Sequence, residues 1–205
     1  GYGLTEAAPV LTVTHAGNKR LPGTVGKALP GVELKIHEPD GEGVGEVTAR
    51  GPNVMAGYFQ DREATAAVLK DGWLYTGDLG RIDEEGNLFL VGRRKDVIID
   101  ANGKNVYPDE LEELYGVHPH LKELSVVGLP DENGGEKVAC LCVPDYKGRG
   151  REEVRRELEE HFRVVSGEQP FYRRVKILRF QDAELQRTST RKIKRSLVAE
   201  ELRRL

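Results

Sequence analysis

The sequence predicts an α+β protein in two parts: an antiparallel β region over residues 1–92, then an α+β region over residues 93–205. Three observations predict it. Apolar and polar residues alternate at period two through much of residues 32–91, broken by turns rich in Gly, Asp and Asn and by a single short helical stretch. Beyond Gly92, strand-like runs alternate with amphipathic helical ones. The charge also changes character: residues 1–92 hold 8 Lys/Arg against 13 Asp/Glu, and residues 93–205 hold 23 against 21. With 205 residues, 38% hydrophobic and 32% charged, the chain is long and apolar enough for a sizeable core. No run approaches the roughly 18 apolar residues of a membrane span.

In order, Val32–Ile36 and the run ending at Arg50 form a hairpin around Glu38-Pro39-Asp40-Gly41-Glu42-Gly43. Residues 61–69 form a short helix with Asp61 as N-cap, since its carboxylate can accept an orphan amide. Residues 81–91 form a second hairpin through Glu84-Glu85-Gly86-Asn87. The cluster Arg93–Asp96, after a turn-like Val91-Gly92, is the expected boundary. Pro108 suits a first helical turn, and Asp109 and Glu110 favour a helix N-terminus; this helix runs to about Gly116. Leu124–Leu129 and Lys137–Val143 are strands around Asp131–Gly135. Val154, Leu158 and Phe162, four apart, give Arg151–Val165 one apolar helical face. Val175–Phe180 is a strand and Ile193–Leu205 a terminal helix. Cys140 and Cys142 share one strand face with no disulfide framework around them. Residues 1–10 carry no basic region leading into an apolar stretch, so the expected compartment is the cytoplasm.

Four segments carry candidate chemistry. Gly1-Tyr2-Gly3-Leu4-Thr5-Glu6 offers an aromatic face for a base, glycines for close backbone approach, and a hydroxyl and carboxylate for a phosphate and a hard cation. Tyr75-Thr76-Gly77-Asp78-Leu79 offers a carboxylate at a strand end, suited to vicinal ribose hydroxyls. Gly92-Arg93-Arg94-Lys95-Asp96 runs through Val97-Ile98-Ile99 into Gly103-Lys104-Asn105-Val106-Tyr107-Pro108. Arg187-Thr188-Ser189-Thr190-Arg191-Lys192-Ile193-Lys194-Arg195 sets hydroxyls and cations before a helix, as phosphate binding requires. The last lies in a stretch, 171–195, with nine basic and two acidic residues and with Phe171, Tyr172 and Phe180 interleaved. On its own that stretch would also suit a module binding nucleic acid or anionic lipid.

Together, in this order, the four segments resemble the AMP-forming adenylating enzymes: acyl-CoA synthetases, firefly-type luciferases and nonribosomal adenylation domains. The resemblance implies that Tyr2 packs on adenine beside Gly3, that Thr5 approaches the α-phosphate, and that Glu6 helps hold Mg²⁺. It implies that Asp78 and Arg93 bind the ribose hydroxyls, that Lys95 is a hinge, and that Lys192 bridges the carboxylate substrate and the α-phosphate. Gly103 and Lys104 would lie by the thiol channel. Residues 1–92 would close the large adenylating domain, and 93–205 would be the mobile C-terminal lid.

The family commonly has Pro where Gln186 stands and Gly where Arg191 stands, and Lys194 is the alternative to Lys192. The loop Ile99–Gly103 and the run GKNVYP look like the long-chain fatty-acyl branch. The implied reaction joins a fatty acid to CoA at the expense of ATP, releasing AMP and pyrophosphate, with loading of an acyl carrier protein as the alternative. No nucleic acid and no obligate protein partner are expected, while a peripheral membrane contact fits a fatty-acid substrate. The family's Ser/Thr/Gly-rich phosphate loop would precede Gly1, so the expectation is a C-terminal portion, incompetent by itself.

Overall fold

The computed structural model describes residues 1–15, 21–132, 134–189 and 191–204, and the chain divides between Lys95 and Asp96 into two compact units. Each is mixed or mainly β, an α+β chain with largely antiparallel sheets.

The first unit contains strands β1 (Thr12–Val13) and β2 (Lys27–Ala28), then β3 (Glu33–His37) and β4 (Gly45–Arg50), helix α1 (Arg62–Val68), and strands β5 (Leu69–Lys70), β6 (Trp73–Ile82) and β7 (Leu88–Arg93). Its main sheet runs β3-β4-β6-β5, with β7 also pairing antiparallel to β6. The two hairpin turns are closed by aspartates bonding their own backbone. Asp40 accepts the amides of Glu42 and Val44 at 2.9 and 3.0 Å, and Asp83 those of Glu85 and Asn87 at 3.1 and 2.7 Å. Asp61 caps α1 by accepting the Ala64 amide at 2.9 Å. Ala7, Leu11, Ala49 and Leu74 form the buried core, with Tyr2, Leu4 and Leu34 packed around it.

Strand β6 is longer than the sequence suggests. Thr76-Gly77-Asp78 lies inside it, so Asp78 is a mid-strand residue rather than one following a strand end. Glu46 pairs with Leu79 and Thr48 with Tyr75, so three residues of β6 face Val47 alone, a bulge. Burial still alternates through it, but the buried positions are Thr76, Asp78 and Gly80 rather than apolar residues, which hides the strand in the sequence. Val91 and Gly92 lie in β7, opposite β6, and form no turn.

The second unit contains β8 (Ile98–Ile99) and β9 (Asn105–Val106), helix α2 (Pro108–Tyr115), strands β10 (Leu121–Pro130) and β11 (Glu136–Pro144), helix α3 (Arg151–Glu168), strand β12 (Ile177–Phe180) and helix α4 (Arg195–Arg204). Its three-stranded sheet has β11 central, antiparallel to β10 and parallel to β12. Alternation divides β11 between two cores. Val138, Cys140 and Cys142 face α2 and α3 through Leu111, Tyr115 and Phe162, while Ala139, Leu141 and Val143 face α4 through Val198 and Leu202. Tyr115 and Phe162 stack at 4.8 Å. Fully burying a side chain such as Leu111 or Leu158 stabilises by about 1.5–3 kcal/mol. Both cysteines are free and buried, with Sγ atoms 3.5 Å apart.

Helix α4 starts at Arg195, two residues later than the sequence reading, because the preceding backbone is already committed. The amides of Thr188 and Lys194 donate to the carbonyls of Lys192 and Gln186, at 2.8 and 2.9 Å. No helix among the described residues is long and apolar enough to cross a membrane.

Candidate functional site

In the first unit, three expected residues are joined by hydrogen bonds. Asp78 and Arg93 are direct cross-strand partners of β6 and β7. Asp78 is only 8% exposed, on the face of β6 that also buries Leu74 and Thr76. A carboxylate buried there needs partners. Arg93 Nε donates to Oδ1 at 2.7 Å, and the Tyr2 hydroxyl donates to Oδ2 at 2.6 Å. An ionised carboxylate offers about four acceptor positions, so among the described residues one on each oxygen is left. Burial, and then the bond to Asp78, raise the Tyr2 pKa, so Tyr2 stays a neutral donor.

Tyr2 is fixed through its backbone as well. Its amide donates to Thr12 O at 3.1 Å, and its carbonyl accepts the amides of Leu11 and Thr12 at 2.9 and 3.0 Å. That close pairing accounts for Gly3: a Cβ there would lie 1.9 Å from Pro9 O. Gly3 is thus required by chain packing, a reason that the sequence, read for ligand approach, does not reveal. Thr5 is exposed at the start of a 3-10 turn, Thr5–Ala7. Glu6 is half-buried, and its Oε1 accepts the Tyr58 hydroxyl at 2.8 Å, a bond that raises the Tyr58 pKa. Its Oε2 carries no hydrogen bond among the described residues. One free carboxylate oxygen fits Mg²⁺, which keeps several waters and binds through one or two carboxylates plus substrate phosphates.

One residue that sequence reasoning missed, Glu46, supports this array. Glu46 of β4, 7% exposed, accepts the Gly77 amide on Oε1 at 2.9 Å and Arg94 Nη1 on Oε2 at 2.8 Å. Gly77 has φ +71° at the bulge, a left-handed conformation that favours glycine. Thr76 Oγ1 accepts the Asp78 amide at 3.1 Å and donates to Val47 O at 2.7 Å. Nothing in the alternation of β4 marks Glu46, because residues 45–49 are all buried, on both faces of the strand.

Lys95 is exposed in the 3-10 turn Arg94–Asp96, at the division itself. Among the described residues its side chain makes no hydrogen bond or ion pair.

In the second unit, Gly103 (φ +73°) and Lys104 lie in the exposed loop closing β8 and β9. Asp100 Oδ1 holds that loop by accepting the amides of Lys104 and Asn102 at 2.7 and 2.9 Å, and these bonds lower its pKa. Lys192 is exposed on the loop before α4, its amide donating to Thr188 Oγ1 at 3.2 Å. Thr190, in the same segment, lies outside the described residues. Glu123 anchors the loop's base, accepting Arg187 Nη2 at 2.8 Å and the Leu185 amide at 3.0 Å. Arg191, at the place where the adenylating enzymes commonly have Gly, has φ +65°, in the left-handed region.

Just beyond this loop is the second missed feature. Arg195 reaches three carboxylates: Asp96 at 3.2 Å, Asp109 at 2.5 Å and Glu112 at 2.7 Å. Glu112 also accepts the Val126 amide at 2.8 Å. Burial raises the Glu112 pKa, and Arg195 opposes that rise. Burial likewise works against the Arg195 charge, but Glu112 and Asp109 outweigh it and the pKa is raised. Arg195 therefore ties the start of α4, next to the Lys192 loop, to the residue following Lys95. Within the sequence it is hidden in a basic run.

The AMP-binding enzyme family matches residues 1–59, and its AMP-binding enzyme C-terminal domain matches residues 110–192. The chain belongs to the AMP-binding enzyme family. It is similar to a long-chain-fatty-acid–CoA ligase of Yersinia pestis, 39% identical over 98% of this chain and 35% of that protein. An indoleacetate–CoA ligase of Aromatoleum aromaticum is 46% identical over 70% of this chain and 29% of its own length. The crystal structure of ATP-bound MatB from Rhodopseudomonas palustris superposes with a TM-score of 0.83 at 33% identity, covering 98% of this chain and 39% of MatB. The chain thus spans about a third of the length of the curated relatives it matches.

Proposed function

We propose that the protein containing this chain is an AMP-forming acid–CoA ligase whose acid is a long-chain fatty acid. The observation that carries the reading is the buried Asp78, held by Tyr2 and Arg93 with one acceptor position left on each oxygen. Such a carboxylate binds the two ribose hydroxyls, with Arg93 beside it, and the ring of Tyr2 meets the adenine. Gly3 and Thr5 bring backbone and hydroxyl toward the α-phosphate. Glu6 would help hold Mg²⁺, which neutralises phosphate charge when bound.

In the first half-reaction a carboxylate oxygen of the acid bonds to the α-phosphorus, and the bond to the bridging oxygen breaks, releasing pyrophosphate. Two anions meet in that step, and the Lys192 cation offsets the charge that builds in the transition state. In the second, the CoA thiolate attacks the acyl carbon and AMP leaves; Gly103 and Lys104 line the thiol's approach. Residues 1–92 end the adenylating domain, residues 93–205 form its lid, and Lys95 is the hinge between the two half-reactions.

The Yersinia relative, matched over 98% of this chain, supports the fatty acid. The higher identity of the indoleacetate ligase over a shorter stretch favours an arylacetic acid as the second reading. Pyrophosphate exchange on the full-length protein with a panel of long-chain acids, indoleacetate and benzoate tests the choice. Exchange driven best by long-chain acids supports the reading, and exchange driven only by aryl acids replaces it. Offering free CoA against a phosphopantetheinylated carrier protein as acceptor then decides the thiol.

A further inference from the structure

The reading above uses Asp78 and Arg93 but assigns nothing to Glu46, a buried carboxylate on the neighbouring strand β4. Its two oxygens grip the two residues flanking that pair. Oε1 holds the amide of Gly77, which precedes Asp78, and Oε2 holds the guanidinium of Arg94, which follows Arg93. Asp78 and Arg93 are themselves cross-strand partners, so one carboxylate holds the backbone before Asp78 and the side chain after Arg93. It does so where the ladder is weakest. Opposite Val47 the bulge puts three residues of β6 against one of β4, and the ordinary inter-strand bonds that would set the direction of Asp78 are interrupted. A left-handed Gly77 has no side chain to limit its swing, so the Glu46 bond replaces the missing ladder bond.

We propose that Glu46 is a positioning residue for nucleotide selection: it aims Asp78 and Arg93 at the ribose hydroxyls without touching the nucleotide. This deepens the proposed function and rests on Asp78 as the ribose acceptor. Placement errors of about 1 Å are costly at such sites, and a second-row carboxylate is the element that prevents them.

The test is ribose discrimination by the full-length protein, read as the ratio of kcat/KM for ATP to that for 2′-deoxy-ATP in the pyrophosphate exchange assay. Asp78→Asn comes first. A lowered ratio upholds the ribose reading, and an unchanged ratio removes it and this inference together. Given a response in Asp78→Asn, Glu46→Ala should lower the ratio about tenfold, the scale of one charge-assisted hydrogen bond. KM for ATP should rise and kcat at saturation should change little. Glu46→Gln keeps an acceptor for Gly77 and should restore most of the ratio. A purely structural role would lower both kcat/KM values in proportion, leaving the ratio untouched, and that result overturns the inference. Should Glu46→Ala fail to fold, Arg94→Met decides. Arg94 is largely exposed and its loss frees only Oε2, so a ratio lowered about threefold supports the proposal, as a fraction of that same bond. An unchanged ratio in Arg94→Met overturns it.

Discussion

Replacing Arg195 by Met tests whether the second unit is organised around one guanidinium. The side chain is 19% exposed and bonds Asp96 (18%), Glu112 (21%) and the more open Asp109 (45%). Removing one partner of a buried ion pair costs about 3–5 kcal/mol, because the remaining charge stays desolvated. Asp109 is open enough to be rehydrated, so the loss comes from Asp96 and Glu112, and about 3 kcal/mol is expected. Arg195→Lys should recover only part of this, since one ammonium cannot reproduce a fork that meets three carboxylates.

The pH dependence sharpens the prediction. Burial raises the Glu112 pKa in the folded chain above its ordinary 4.5, so there the folded state holds its proton more tightly than the unfolded state. That contribution favours folding at low pH and is lost as pH rises through the folded value. Without Arg195 the rise is unopposed, and the window extends further toward neutrality. The stability difference between wild type and Arg195→Met should therefore widen from acid toward neutral pH. Urea denaturation of the 205-residue chain followed by circular dichroism measures it. The only tryptophan, Trp73, lies in the first unit, so its fluorescence transition should stay where it is. A loss below about 1 kcal/mol, which is all an exposed pair would give, or a gap that does not vary with pH, would refute the reasoning.

Three further outcomes are expected. Lys192→Ala in the full-length protein should slow adenylation about 10²–10³-fold, by analogy with removed oxyanion donors, yet spare thioester formation from supplied acyl-AMP; a selective effect in Lys194→Ala instead would move the assignment. Lys95→Pro should impair the thioester step alone, because proline fixes φ and restricts Arg94, while Lys95→Ala should be mild in both steps; equal impairment with a lowered Tm would remove the hinge. Arg191→Gly should raise stability by up to about 1 kcal/mol, since a left-handed L-residue costs about 1–2 kcal/mol and glycine's added unfolded-state freedom returns part of it; a destabilised variant on thermal melting would contradict the φ-based argument.

Most of the fold was legible because it is written in local chemistry. Asp40, Asp61 and Asp83 announce turns and a cap by bonding their own backbone, and Val154, Leu158 and Phe162 announce the face of α3. What escaped depended on partners distant in sequence. Asp78 was read as ending a strand because the buried positions that carry β6 onward are Thr76, Asp78 and Gly80, which show no apolar alternation. Of the candidate residues, Tyr2, Asp78 and Arg93 come together through bonds spanning 76 residues in one case. Glu46 and Arg195 have no local signature, since their roles are fixed by Gly77, Arg94, Asp96 and Glu112.

Those two unpredicted residues have a common logic. Arg94 and Asp96 flank Lys95, and each is tied back into its own unit, Arg94 by Glu46 and Asp96 by Arg195. Lys95 alone, between them, has an unbonded side chain among the described residues. Both anchors have a carboxylate shielded from water: Glu46 is 7% exposed, and Asp96 18%. Charge pairs so shielded are screened less by salt than the exposed pairs on α3. A backbone turn taken between such anchors falls on one residue's φ and ψ, because rotation at either neighbour would separate a shielded pair. If so, proline should be far more damaging at 95 than a side-chain change there, and raising salt should not relieve it. That is why the Lys95→Pro comparison is best run at both low and high ionic strength: a defect that fades with salt would mean that the anchors, and with them the single-residue turn, are weaker than their burial implies.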